Sequence, residues 1–320
     1  MEDFRWGLLI VSYLFLGGMS AGLLFVSGLA TYLQEGGSPL YPRIARVGAL
    51  LAPWPVSLGS FLLIFDLWRW YRFYKLFVTF TWHSPMSIGS WLLLGFTGVS
   101  LAYFWTWLPD SVLDAFVARL PRRLRFLGKV ATPARVRWQR PLAALGFPLS
   151  LGVGIYTGVL LGAVQSRPFW NTNLVAQIFL FSALSTGCAT VILALTASRE
   201  GVAPREARLL YSIDIVLILL ELFVVIPYVI HGELSPLAAR QALKLILGGP
   251  FTFAFWALFF TLGLLMPLAL EVWEIRPALF GGEALHPGRF LACATAALIV
   301  FGGFVLRYVF VYAGQMSVFE

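Results

Sequence analysis

The 320-residue chain is 59% hydrophobic and 12% charged, with a mean hydropathy of +0.83, where a soluble domain carries about 25% charged residues. That excess of apolar surface needs lipid as its solvent and excludes a soluble globular fold. The net charge of +8 sits in basic stretches between apolar windows, a placement that excludes a nucleic-acid-binding face and points to membrane orientation instead.

A spanning helix takes roughly 20 mostly apolar residues to cross about 30 Å of hydrocarbon. Such windows lie near 9–33, 49–68, 86–108, 141–165, 174–197, 209–231, 245–270 and 290–313. They predict an all-α integral membrane bundle of about eight transmembrane helices, one domain over 1–320, with both termini on one side, called side A. The first window is too long, and too sparsely charged in front, for a cleaved signal peptide. It carries Phe15-Leu-Gly-Gly-Met-Ser-Ala-Gly22, echoed in the fifth by Leu180-Phe-Ser-Ala-Leu-Ser-Thr-Gly187. Both spans run from side A to side B, so the echo fits either a parallel duplication of four helices plus four or two small-residue seams alike by chance. Gly18 with Gly22, and Gly154 with Gly158 and Gly162, stand at the four-residue spacing that lets helix backbones approach closely.

Of the 23 basic residues, 15 fall in side B connections and 7 on side A. Much of the excess comes from 109–140, read as a long basic, Pro-containing loop. Basic loops stay in the cytoplasm, so side B is expected to be cytoplasmic and both termini external. Cys188 and Cys293 fall inside apolar windows and form no CxxC pair, so iron-sulfur or other metal chemistry is expected on a partner. His83, His231 and His286 lie at window edges, whereas a membrane haem b needs facing histidines inside the bundle. The chain is expected to be haem-free, with a haem bridged by His83 and His231 as the alternative.

Polar side chains inside hydrocarbon are costly unless partnered, so their depth is informative. Tyr13 lies about two turns below side A on span one. Asp66, Arg69 and Arg72 close span two there, Trp82 and His83 open span three, and Tyr156 lies in the A half of span four. Gln165, Asn171, His231 and Arg307 also fall in the A half or at its edge. Tyrosines, tryptophans and a few hydrogen-bonding groups at leaflet depth suit a quinone ring, whose two carbonyls need donors while its tail stays in lipid. Its redox chemistry moves two protons, which calls for an acid or base within reach, and Asp66, His83 and Tyr156 qualify. The structural alternative pairs Asp66 with Arg69 and makes the tryptophans an interfacial belt. Asp214 and Glu221 stand seven residues apart on span six, on one face and about 10 Å apart along the axis. They suggest either a proton path or an intramembrane ion pair with Arg307.

Four segments carry a family resemblance. They are Tyr13-Leu-Phe-Leu-Gly-Gly-Met-Ser-Ala-Gly22; Asp66-Leu-Trp-Arg69-Trp-Tyr-Arg72-Phe73 followed by Trp82-His-Ser-Pro85-Met-Ser-Ile-Gly89-Ser-Trp91; Tyr156-Thr-Gly158 with Pro168-Phe-Trp170-Asn171 and Ser182-Ala-Leu-Ser-Thr-Gly187; and Arg307-Tyr-Val-Phe-Val-Tyr-Ala-Gly314-Gln315. In this order they resemble the NrfD/PsrC family of polysulfide reductase membrane subunits. The resemblance implies a haem-free, eight-helix subunit in a prokaryotic inner (cytoplasmic) membrane, binding menaquinol or another quinone near the external face. It further implies docking to a ferredoxin-like iron-sulfur subunit, with a molybdopterin catalytic subunit beyond it. In the family pattern a span-one histidine and a span-four tyrosine contact the quinone; Tyr13 and Tyr156 stand at those positions here. A phenol with an ordinary pKa near 10 donates a hydrogen bond more readily than it takes a proton, which moves the relay to Asp66 or His83. Trp82 and Asn171 complete the expected pocket.

Two rivals stand beside this reading. A secondary transporter would break helices at the midplane, and Pro148, Pro227 and Pro267 are the candidates for such breaks. A pure membrane anchor would tolerate loss of Tyr13, Asp66 and Tyr156.

Overall fold

The computed structural model describes residues 6–35, 38–66, 81, 83–119, 126–280 and 288–317. Their order is α1 (Leu8–Tyr32), a ribbon of β1 (Gln34–Glu35) and β2 (Ser38–Pro39), α2 (Pro42–Leu51), α3 (Pro53–Asp66), α4 (Pro85–Trp107), α5 (Asp110–Arg119), α6 (Phe126–Gly162), α7 (Leu174–Ala197), α8 (Pro204–Leu234), α9 (Leu237–Leu243), a π-helical stretch (Ala254–Leu265) running into α10 (Met266–Phe280), and α11 (Arg289–Met316). Eight stretches among the described residues are long and apolar enough to cross a membrane, as the windows predict.

Local chemistry explains most of the boundaries. Pro42, Pro85 and Pro204 each start a helix at the position where a missing N–H costs nothing, and Ser84 caps α4 by accepting from the Ser87 amide at 3.4 Å. Pro53 and Pro55 withhold the amide protons that would continue the α2 ladder, so the second span, Pro42–Leu63, is built of two helices. The seventh span runs over Ala254–Pro277 rather than 245–270, because Gly248, at φ 104°, and Pro250 stop a helix from passing through. The stretch 109–140 is not an open loop. Its described residues form α5 and the first turns of α6, a helix of 37 residues that at about 55 Å outruns the bilayer core. Buried Arg135 ties these two helices together through the Asp110 carboxylate and the Leu108 carbonyl at 2.8 Å.

Helix α1 is the hub, packing against α2, α3, α6, α7 and α11. Its closest approach is to α7, where a side chain on Gly22 or Gly187 would run into the other's backbone, and Gly18 faces Ala183 in the same seam. Gly22 and Gly187, like Gly18 and Ala183, are the residues that the sequence echo aligns. The neighbour pattern repeats as well. Span one packs on spans two and four as span five packs on six and eight; span three packs on four as seven packs on eight; and spans four and eight pack on five and one. Equivalent residues meeting each other is what a two-fold relation between the halves requires. A second glycine pair, Gly263 and Gly302, brings the π-helical stretch against α11.

Polar bonds pin the hub. Ser20 donates to the Ala52 carbonyl and Ser27 to that of Ala45, while the hydroxyls of Thr31 and Tyr103 meet between α1 and α4. On side B, Arg43 of α2 clasps the turn between α7 and α8 through Glu206 at 3.2 Å, the Gly201 carbonyl at 2.7 Å and Glu200 at 3.5 Å. Replacing Gly187 with leucine is expected to wedge the central seam and lower stability by about 2 kcal/mol or more, read as a fall in the melting temperature of the detergent-solubilised chain. The same change at exposed Gly98, where a Cβ meets nothing within 4 Å, leaves it unchanged.

Candidate functional site

Helices α1 and α6 bring Tyr13 and Tyr156 together in the A half of the bundle, with 2% and 8% of each residue exposed and their phenols within electrostatic reach. The aromatic rings fit because two neighbouring helices offer no side chain at the contact. Gly59 of α3 lies against the Tyr13 backbone, and a Cβ on Gly89 of α4 would overlap the Tyr156 ring. A buried tyrosine hydroxyl normally finds a hydrogen-bond partner, yet among the described residues neither of these does. Two donors within electrostatic reach of each other are therefore left in the A half with bonds still to make.

The other predicted positions divide. His83 is exposed in the turn before α4, His231 is exposed near the end of α8, and Asn171 is exposed in the connection between α6 and α7. Asn171 thus does not share the enclosed environment of the two tyrosines, because that connection turns it outward while burying its neighbours Phe169 and Trp170. Asp66 is the last residue of α3; its side chain, and Trp82, lie outside the described residues, as does His286.

Aromatic residues from just before α1, the connection between α6 and α7, and the end of α11 meet in a cluster on side A. Trp170 stacks on Trp6 with ring centres 5.2 Å apart and donates to the Phe310 carbonyl at 2.7 Å. Tyr228 donates to the Phe169 carbonyl at 2.9 Å. Gln315 exchanges hydrogen bonds with the Trp6 backbone at 2.6 and 2.9 Å.

Deeper in the bundle, Arg307 is fully buried on α11. The expected ion pair with Glu221 does not form: among the described residues no contact of 4.0 Å or less joins them. Arg307 instead donates from Nη1 to the Ser182 hydroxyl at 2.6 Å and the Gly303 carbonyl at 2.8 Å, and from Nη2 to the Phe179 carbonyl at 3.3 Å, with its guanidinium 5.3 Å from the Phe179 ring centre. The small residues at 182 and 303 let a guanidinium lie along the helix backbones and use their carbonyls. Glu221 stays close enough to sense the Arg307 charge and faces Ser182, but its Oε1 has no hydrogen-bond partner. Asp214 is also fully buried and unpartnered at both oxygens. Facing it is a residue that the sequence reading missed, Glu271 of α10, whose exposure is 0%. With the seventh window ending at 270, Glu271 fell just outside it; moving the span to follow the Gly248 and Pro250 break would have placed it inside.

These features define an all-α, multi-pass membrane protein with its unsatisfied polar groups inside the bundle. The family model described as "Polysulphide reductase, NrfD" matches residues 1–319, and the chain belongs to that family. It is 32% identical to Protein NrfD of Escherichia coli strain K12 over 99% of this chain and 97% of that one. It is 31% identical to a polysulfide reductase chain of Wolinella succinogenes over 98% and 95% of the two proteins, and 26% identical to a selenate reductase subunit of Mesobacillus selenatarsenatis over 83% and 66%.

The Gly89 contact yields a double-mutant test. Gly89→Ala is expected to cost about 1–3 kcal/mol by overpacking, while Tyr156→Ala in the same chain relieves the overlap. Thermal melts of both singles and the double should then show a coupling of about 1 kcal/mol or more; additive losses would contradict the contact.

Proposed function

We propose that this chain is the quinone-binding membrane subunit of a respiratory oxidoreductase complex, with its ring site at Tyr13 and Tyr156. The observation that carries the reading is the pair of buried tyrosines in the A half, their phenols within electrostatic reach of each other and lacking hydrogen-bond partners among the described residues. Two convergent donors with apolar walls match a ring bearing two carbonyls at leaflet depth. Bound there, menaquinol or another quinone would supply two-electron, two-proton chemistry. Tyr13 and Tyr156 would orient the ring by donating to its oxygens. Asp66 closes α3 and His83 lies in the turn before α4, and these two are the proposed proton carriers between the ring oxygens and side A. Trp82 is proposed to wall the pocket, and Asn171 to act at its rim.

No cysteine cluster lies in this sequence, so electrons would pass to a ferredoxin-like iron-sulfur subunit, with a molybdopterin subunit acting on the terminal substrate. The names of two relatives, one a polysulfide reductase chain and the other a selenate reductase subunit, support a role inside a multi-subunit reductase. The 15 basic residues on side B against 7 on side A support placement in the prokaryotic inner membrane with both termini external. Against the transporter reading, Pro148 and Pro227 lie within α6 and α8 without interrupting them, and the seventh span continues through Pro267 at the start of α10.

In the intact complex, Tyr156→Phe and Tyr13→Phe are each expected to lower quinol oxidation by about tenfold, the worth of a hydrogen bond at a reacting oxygen, and Asp66→Asn by more. Turnover unchanged in all three, with the complex assembled, would assign the chain to membrane anchoring.

A further inference from the structure

On side B a cleft of about 410 Å³ opens between two segments far apart in sequence, a size within the roughly 300–1,000 Å³ of a small-molecule site. One wall is Leu40 and Tyr41, which join β2 to α2; the other is Arg205, Arg208, Leu209 and Ser212 of α8. Steps of three and four residues put these last four on one face of the helix. Arg43, two residues beyond Tyr41, holds the walls in register, since its clasp on Glu206 and the Gly201 carbonyl ties the start of α2 to the start of α8.

The cleft carries positive charge that nothing cancels. Arg205 and Arg208 are exposed, and neither guanidinium has an ion pair or hydrogen bond among the described residues. The acids nearest in sequence are already committed: Glu206 accepts from Arg43 and from the Ala203 amide at 3.1 Å, and Glu200 pairs with Arg43. Exposed arginines at the end of a span are ordinary. Two of them lining a cleft opposite a tyrosine, with no acid to answer them, select an anion, and the guanidinium fork matches phosphate oxygens best. The Ser212 hydroxyl donates to the Arg208 carbonyl at 2.7 Å, which leaves it free to accept from a hydroxylated headgroup.

Depth separates a lipid from a free phosphate. Helix α8 has 31 residues, a length of about 47 Å, so its first turns stand outside the roughly 30 Å hydrocarbon core, at headgroup level. Beyond Ser212 the same face continues through Val216, Leu219, Phe223 and Ile226, all exposed and therefore set against acyl chains. A molecule with an anionic head and an apolar tail meets both parts of this face at once; free phosphate meets only the first.

We propose that Arg205 and Arg208, with Tyr41 and Ser212, bind the phosphate headgroup of an anionic phospholipid of the side B leaflet, whose acyl chain lies along α8. The cleft has one wall from span two and one from span six, so a bound lipid braces the first half of the bundle against the second. The site lies on the opposite side of the membrane from the tyrosine pair and does not depend on what binds there.

The test is native mass spectrometry of the delipidated full-length chain titrated with dioleoylphosphatidylglycerol, with dioleoylphosphatidylcholine and inorganic phosphate as the other arms. One phosphatidylglycerol should be held about tenfold or more tighter than any phosphatidylcholine, and excess inorganic phosphate should not release it. Arg205→Gln combined with Arg208→Gln should abolish that preference. Ser212→Trp, which fills the cleft but keeps both charges, should weaken it about tenfold. Arg46→Gln removes an exposed side B charge outside the cleft and should leave the preference unchanged. Because the altered side chains are exposed, the lipid-free melting temperature should stay constant across the set. Equal loss in Arg46→Gln and the double variant, or full preference in Ser212→Trp, overturns the site and leaves only a diffuse basic surface. Release by inorganic phosphate overturns the lipid in favour of a free anion.

Discussion

The contact on which the rest of the molecule depends is the bare-backbone crossing of α1 and α7 at Gly22 and Gly187. In lipid no hydrophobic force drives helices together, so close packing of small residues must do so. Once the two central helices touch, the shell helices of each half find equivalent seats around them. The crossing also decides where side chains can be large. Tyr13 lies above it on α1, while Arg307 reaches in beside it from α11, where Gly18, Ser182 and Gly303 leave room.

That geometry separates two kinds of unsatisfied group. Toward side A are phenols, good donors that stay neutral and fit a ring with acceptor oxygens. Toward side B are carboxyls, which both give and accept protons. Between them stands a buried cation whose charge is spread over helix carbonyls rather than cancelled by an acid. Arg307 and Glu221 thus stand within electrostatic reach of each other but unbonded.

The bundle was legible because hydropathy decides which segments leave water for the bilayer, and proline and glycine mark where helices start and stop. The family was legible from motifs that run through most of the chain, and the family match over residues 1–319 bears it out. Depth placed Tyr13 and Tyr156 in the A half, and the family resemblance singled them out as a pair. The exposure of Asn171 was not legible, because whether a connection turns a side chain inward depends on tertiary packing. The Arg307–Glu221 pair was expected from opposite charge at similar depth, but serine, glycine and backbone carbonyls nearer the guanidinium took its hydrogen bonds. Glu271 was lost to a boundary, the hardest thing to read from an apolar window.

The π-helical stretch ahead of α10 sets the rotation of everything after it. Wider turns of this kind carry an extra residue relative to an α-helix and are common at functional positions. Because each α-helical residue turns the helix by about 100°, the residues from Ala254 to Leu265 act as the phase setting for Glu271 and Glu274. Deleting one residue there would leave length, hydropathy and composition almost unchanged while swinging both acids toward a different neighbour. In this chain the spacing of apolar residues is thus itself information about the acids beyond them.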